Sequence, residues 1–285
     1  MRLIPVTLSL AALLAGPAAA QTVCRPPAGS NEVKVFGTFA VPLAFGPLAG
    51  PPSLELGQGR IQLEGSYLPT LDAAARTPTI CRPGKGPENT DFLFALPRPR
   101  LLLGGPARFQ LELSWIPPIR INGAKANLVG LALARAIPLG RLGEDEASLG
   151  LRVHGTLGVI RAPITCDDPE LENPNSECYQ GTRSDDRYHP NVFGAEGSLG
   201  WALARGRFRP YVGGGLNLLR PRFQVNFVNR FGEVDSTRVE ANLTRGVVFG
   251  GATWLATPRV GITGEVYAAP ADAVTGRLAI GYGFH

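Results

Sequence analysis

His154-Gly155-Thr156 sets an imidazole and a hydroxyl two positions apart, which on an extended strand places both side chains on one face. That spacing suits a general base beside a nucleophile. With Thr as the hydroxyl and no supporting signature, the plainer reading is a histidine hydrogen-bonded inside a polar interior. His189 and His285 are the remaining histidines, and no Gly-x-Ser-x-Gly, His-Glu-x-x-His or phosphate loop occurs. Gly197-Ser198-Leu199-Gly200 approaches a nucleophile elbow, but Glu196 stands where its first glycine is required. No catalytic residue and no cofactor are assigned, and an enzyme is not expected.

A second group with chemical potential is the acidic run from Cys166 to Cys178, which carries Asp167, Asp168, Glu170, Glu172 and Glu177. Carboxylates of this kind bind calcium when their spacing is right. Here proline separates them and the spacing matches no EF-hand, so a solvated loop is expected. A third group is larger. Arg60, Glu64, Glu112, Arg152, His154, Glu196, Arg209, Glu240, Glu265 and Arg277 each fall in a segment of alternating polarity, on the side shared with Gly, Ser, Ala and Thr. Charges of both signs on such a face must pair or stay hydrated. They read as one polar network lining an enclosed space.

The elements that position these residues follow from the period. Ile61, Leu63, Gly65 and Tyr67 alternate with Arg60, Gln62, Glu64 and Ser66, and Phe109, Leu111, Leu113 and Trp115 with Gln110, Glu112 and Ser114. Leu149, Leu151, Val153, Leu157 and Val159 share one face, and Phe193, Leu199 and Trp201 another. Val239, Leu243, Val247 and Phe249 read as an apolar face opposite Glu240, Asn242 and Thr244, and Val260, Ile262 and Val266 oppose Thr263, Glu265 and Tyr267. With the less regular stretches 92–104, 124–135 and 208–219 and the last strand, the pattern predicts about ten strands, within a range of 8 to 12, from residue 53 onward.

The first residues read differently. Met1-Arg2, an apolar run over 3–14 and Ala18-Ala19-Ala20 before Gln21 form a secretory signal peptide over residues 1–20, too short for a membrane anchor. In an exported chain the four cysteines default to disulfides. Three pairings exist; Cys166 and Cys178 bracket a short loop whose closure contributes about 3 kcal/mol, and Cys24–Cys81 follows by elimination. No Cys-x-x-Cys and no histidine at ligand spacing occur, so no metal site is expected. The net charge of +5 is spread over single arginines rather than a basic stripe, which excludes nucleic acid as a partner.

Long and short connections alternate along the chain. The stretches 69–90, 160–190 and 220–238 are long, whereas 104–106, 205–207 and 257–259 are tight. One end therefore carries turns and the other loops, as in transmembrane barrels with short periplasmic turns and long external loops. The small residues on the polar face suit the inside of a narrow closed barrel better than the watered face of a soluble sandwich. The expected fold is all-β, a transmembrane antiparallel barrel over 53–285. Residues 21–52 precede it as a plug, or as an extra strand over 33–45.

Two stretches carry a resemblance. Phe208-Arg-Pro-Tyr-Val-Gly-Gly-Gly-Leu-Asn-Leu218 resembles a strand of small Gram-negative outer-membrane barrels of the opacity-protein type, and the last strand resembles their C-terminal insertion signal, with Tyr282 and Phe284 as its aromatics. The ending departs by one residue, since His285 follows the aromatic. The resemblance implies a monomer in the outer membrane of a Gram-negative bacterium, in contact with outer-membrane lipid and inserted by the barrel-assembly machinery. Some barrels similar to this class are lipid A deacylases with a His-x-Ser pair on a strand, which His154-Gly155-Thr156 matches only in part. If Cys24 bonds Cys81 in an external loop, residues 24–52 cross the barrel and resemble the hatch of fatty-acid transporters. The leading expectation is passage or binding of a small solute, or a structural surface role. Adhesion through the loops, lipid modification and a secreted sandwich are the alternatives.

Overall fold

The computed structural model describes residues 23–142 and 145–284. The signal peptide read over 1–20 and His285 lie outside the described residues. Ten long strands are present: β1 Gly59–Tyr67, β2 Ala95–Gly104, β3 Phe109–Ile116, β4 Ala124–Leu142, β5 Asp145–Ala162, β6 Val192–Ala202, β7 Phe208–Leu219, β8 Leu243–Leu255, β9 Val260–Ala269 and β10 Ala273–Phe284. Each pairs antiparallel with its successor, and β10 returns to β1 from Arg277↔Ser66 to Phe284↔Gly59. The sheet is a closed barrel. Closure leaves neither the first nor the last strand as a free edge, the condition for strands to stand in lipid.

The outer wall confirms what solvent it meets. Leu63, Leu151, Val153, Leu216, Leu278 and Ile280 sit at alternate positions on four strands and are 49–60% exposed, while Glu64, Arg152, Asn217, Arg277 and Ala279 beside them are buried inside. A soluble sandwich would hide the first set and wet the second. Membrane strands invert that pattern.

β8 departs from the face read in the sequence. Val247 and Phe249 point inward and are buried, while Val248 and Trp254 face out. The interior of that sector is aromatic rather than charged, with Phe249 stacked on Tyr267 at 5.9 Å and beside Tyr211 at 6.5 Å. Apolar side chains lie on both faces of the strand, so alternation alone selects the wrong one.

The strand read over 33–45 is also corrected. Asn31–Leu43 is a helix, α1, whose N-cap Ser30 accepts from the Val33 amide at 3.3 Å. Val33, Phe36, Ala40 and Leu43 recur at three- and four-residue spacing and are buried. α1 lies inside the loop end of the barrel, with Phe36 stacked on Tyr188 at 5.8 Å. From Ala44 the chain descends the lumen. Gly50 reaches the Tyr211 ring, Pro51 the glycines of β5 and β6, and Ser53 Oγ accepts from Arg209 at 2.8 Å before β1 begins.

At the loop end, Asp186–His189, Arg222–Gln224, Arg238–Glu240 and Val23–Cys24 add in that order to the end of β5, the last in parallel. Cys24 is bonded to Cys81 and Cys166 to Cys178. Beneath this cap, Arg82 pairs with Glu177 and, at 3.5 Å, with Glu88. Burial outweighs that cation and raises the Glu88 carboxyl to about 7. A carboxyl raised on folding binds its proton more tightly in the folded state, so its contribution is greatest below the unfolded value and is lost as pH rises through about 7.

Two outcomes are expected. Leu278→Arg or Ile280→Arg, on the outer belt, should cost about 2–4 kcal/mol if the residue sits at mid-membrane, measured by denaturant unfolding in vesicles; an unchanged midpoint would place the wall outside lipid. Between pH 5 and 8 the wild type should lose stability relative to Glu88→Gln, and parallel profiles would show that this carboxyl is not the group titrating.

Candidate functional site

Inward positions on seven strands converge in the middle of the lumen. Glu64 comes from β1, Arg98 and Arg100 from β2, Glu112 from β3, Arg152 and His154 from β5, Glu196 from β6, Glu265 and Tyr267 from β9 and Arg277 from β10. Arg100 donates to Glu64 at 3.0 Å and to Glu112 at 2.9 Å. Arg152 bridges Glu112 at 3.0 Å and Glu196 at 2.9 Å, and Arg277 meets Glu265 at 3.3 Å. The chain of alternating signs therefore runs around much of the inner wall. Four arginines and four glutamates balance, leaving no excess charge to select an ion.

The network also grips the segment inside it. Arg98 donates to the carbonyls of Leu43 at 2.9 Å and Ala44 at 3.1 Å, Arg100 to Gly46 and Pro47 at 3.1 Å, and Arg277 to Val41 at 2.8 Å and Ala44 at 3.2 Å. These are carbonyls at and beyond the end of α1, where a helix has no internal donors left. The Phe45 ring enters the same cluster, with Arg100, Arg152 and Arg98 guanidinium carbons 4.4, 5.1 and 5.7 Å from its centre. Leu48 is held at a positive φ of 46° while its amide donates to Glu265 at 3.0 Å. Tyr211 donates to that carboxylate and Tyr267 to Glu196, both at 3.0 Å.

Two glycines allow the close approach. A Cβ on Gly46 would strike Arg277, and one on Gly130 would lie 2.9 Å from the Phe45 ring.

The sequence-derived residues separate into three places. Glu64, Glu112, Arg152, His154, Glu196, Glu265 and Arg277 meet in this cluster. Arg60 and Arg209 line a cavity of about 820 Å³ at the turn end, below this cluster. Glu240 is not in the lumen: it belongs to the loop-end cap, where it pairs with Arg25 at 3.4 Å and Arg222 at 3.8 Å. The parity that assigned it ran across Ala241-Asn242, where Arg238–Glu240 ends before β8 begins. Arg98 and Arg100 were missed because Pro97 and Pro99 obscure their strand, although Leu96, Arg98 and Arg100 keep the period of two.

His154 Nε2 lies 3.3 Å from Glu196 Oε1 without hydrogen-bond geometry, and Thr156 Oγ makes no hydrogen bond among the described residues. Both are buried, so the pair has no open approach from the lumen. In the acidic loop, Asp167 caps the short helix Asp168–Glu172 and accepts from Asn89 at 2.6 Å. Tyr282 and Phe284 stand at the end of β10, with Tyr282 half exposed on the outer wall and Phe284 against Gly59.

A second cavity, of about 300 Å³, lies at the loop end between α1 and the wall. Phe36, Phe39 and Leu43 form one side and Leu96, Ile116 and Ile160 the other, and Glu88 is the one charged residue lining it among the described residues.

No protein family matches this chain, and no curated protein matches it. Its closed sheet, apolar outer belt and charged interior decide the class. The fold is that of an outer-membrane β-barrel. Among solved structures it is similar to Ail, the attachment invasion locus protein of Yersinia pestis, at 10% identity over 80% of this chain and 99% of that one, with a TM-score of 0.30. Similarity to the Acinetobacter baumannii outer membrane protein Omp33 is 11% identity over 80% and 98%, TM-score 0.26. For the CymD monoaromatic hydrocarbon channel it is 10% over 81% and 90%, TM-score 0.28. The assignment of this outer-membrane barrel rests on its own wall and closure, and its role is argued from its interior.

Arg100→Ala should be costly. It strands Glu64, Glu112 and the carbonyls of Gly46 and Pro47 without this donor. Removing one partner of a buried ion pair costs about 3–5 kcal/mol. Thermal unfolding in detergent micelles measures it; a loss no larger than that of the turn-end variant Arg60→Ala would show that the cluster holds nothing together.

Proposed function

We propose that this outer-membrane barrel is kept shut by its own residues 30–52, acting as a plug, and that it binds a small solute in the loop-end cavity rather than conducting through its centre. The observation that carries this reading is the set of bonds from Arg98, Arg100 and Arg277 to backbone carbonyls of residues 41–47. An open channel would leave its lumenal charges to water and ions. Here they are spent on one another and on the segment that fills the bore.

The cavity supports the binding half of the reading. It lies at the lower end of the size range of ligand sites, is lined almost wholly by apolar side chains and carries a few polar groups at one side, Glu88, Asn89 and Thr90. The loop-end cap would stand outside the cell and the C-terminal strand would present Tyr282 and Phe284 to the assembly machinery from the periplasmic side. The lumenal network acts in this reading as a latch, with no catalytic role for His154 or Thr156.

Planar-bilayer recording tests closure. The wild type should give no steady conductance, and the double variant Arg98→Ala/Arg277→Ala, which removes two of the three guanidiniums from the plug, should give intermittent openings. Stable ohmic channels from the wild type would overturn the reading.

A further inference from the structure

The wall beside the loop-end cavity is incomplete. β2 pairs with β1 along its whole length, from Gly59↔Leu103 to Tyr67↔Ala95, but with β3 only from Gly104↔Gln110 to Arg100↔Ser114. Where the prolines fall explains why. The Gly104 amide donates to Gln58 on the β1 side, and the Gly105 amide to Phe109 on the β3 side. Successive amides alternate sides along a strand. Residues 97 and 99 are therefore those whose amides would reach β3, and both are proline with no amide hydrogen. Opposite them β3 stops at Ile116 and runs into Pro117-Pro118. The loop-end half of this seam has no ladder to hold it closed.

The cavity extends into that gap. Its lining includes Phe36, Phe39 and Leu43 on the plug and also Leu63, Pro97 and Pro99. The last three face outward and are exposed on the wall where lipid lies. One apolar space thus touches both sides of the barrel, and Phe39, though inside, is not fully buried.

We propose that the seam between β2 and β3 is a lateral entrance through which a neutral hydrocarbon chain passes from the bilayer into the loop-end cavity. This rests on the solute-binding reading above and names the substrate class. A lipid-like carboxylate or phosphate is disfavoured inside, because among the described residues the lining offers Glu88 and no lysine or arginine. A neutral chain needs no counter-charge and remains in apolar surroundings along the whole route. The hydrocarbon could belong to a lipid acyl chain or to a free alkane, and the two demand the same chemistry of the wall.

The test uses the full-length, disulfide-bonded protein in phosphatidylcholine vesicles with two photoreactive probes, a phosphatidylcholine bearing a diazirine on its acyl chain and a free long-chain alkyl diazirine. Adducts are mapped by mass spectrometry at increasing times after mixing with probe-loaded vesicles. Labelling of Phe36 or Phe39 by at least one probe is expected, and labelling by the alkyl probe alone supports the proposal with a free hydrocarbon as the source. Pro97→Val/Pro99→Val, which restores both amide donors, should slow labelling of the plug at least fivefold while leaving labelling of Leu63 unchanged. Pro97→Val alone, with one donor restored, should slow it less, and Val212→Ala, on the outer face of β7 away from the gap, should not slow it. Equal rates in the double variant and the wild type would overturn the lateral route and leave the cavity as a site reached another way. Ala126→Phe fills the cavity and should abolish plug labelling. Persistence of labelling there, or none in the wild type with either probe, would overturn the cavity reading itself.

Discussion

Everything inside this barrel depends on the capture of backbone carbonyls by guanidinium groups. A helix that ends within a membrane-spanning lumen leaves carbonyl groups with no internal donor, and they cannot be left bare at that depth. Arg98, Arg100 and Arg277 supply the donors. An arginine offers five N–H groups and keeps its charge, so each one buried there calls for carboxylates in turn. Glu64, Glu112 and Glu265 answer that requirement. The charged inner face is thus a consequence of having a helix end to hold.

The same economy separates the ends of the molecule. At mid-depth the polar groups satisfy one another, and Phe45 fills the space among the guanidiniums. Above it, the apolar side of α1 has only the apolar wall to meet, and the fit between two such surfaces leaves room. Below it, Arg60 and Arg209 stand at a wider polar cavity. The three zones follow from one segment changing from helix to extended chain as it descends past Ala44.

Most of the wall was legible in the sequence because lipid and lumen impose opposite demands on successive residues. β1, β5 and β10 keep strict alternation, and the faces read from it are the faces observed. The signal failed where a second cause acted on the same residues. On β8, Val247 and Phe249 are apolar because they serve the interior stack, not the bilayer. On β2, prolines that suggest a broken strand hide Arg98 and Arg100, two of the residues that hold the carbonyls of the lumenal segment. In α1, β-branched and aromatic residues favour a strand locally, and the burial available within the barrel prevails over that preference. Ser30 followed by an acidic first turn at Glu32 was the one local sign of a helix start.

The disulfide at Cys24 has a topological meaning. Residues 24–58 run down the bore, β1 runs back up the wall, and Cys24–Cys81 joins the two ascending and descending limbs above the barrel. The polypeptide between those cysteines is a closed covalent ring with one limb threaded through the lumen and the other woven into the sheet. Its inner limb cannot be drawn out through the far mouth while the ring is intact, whatever becomes of the polar contacts along it. Passage out that way requires either cutting the ring or unpicking β1 from both of its neighbours, which makes the loosening of a few contacts and the departure of the segment two different events.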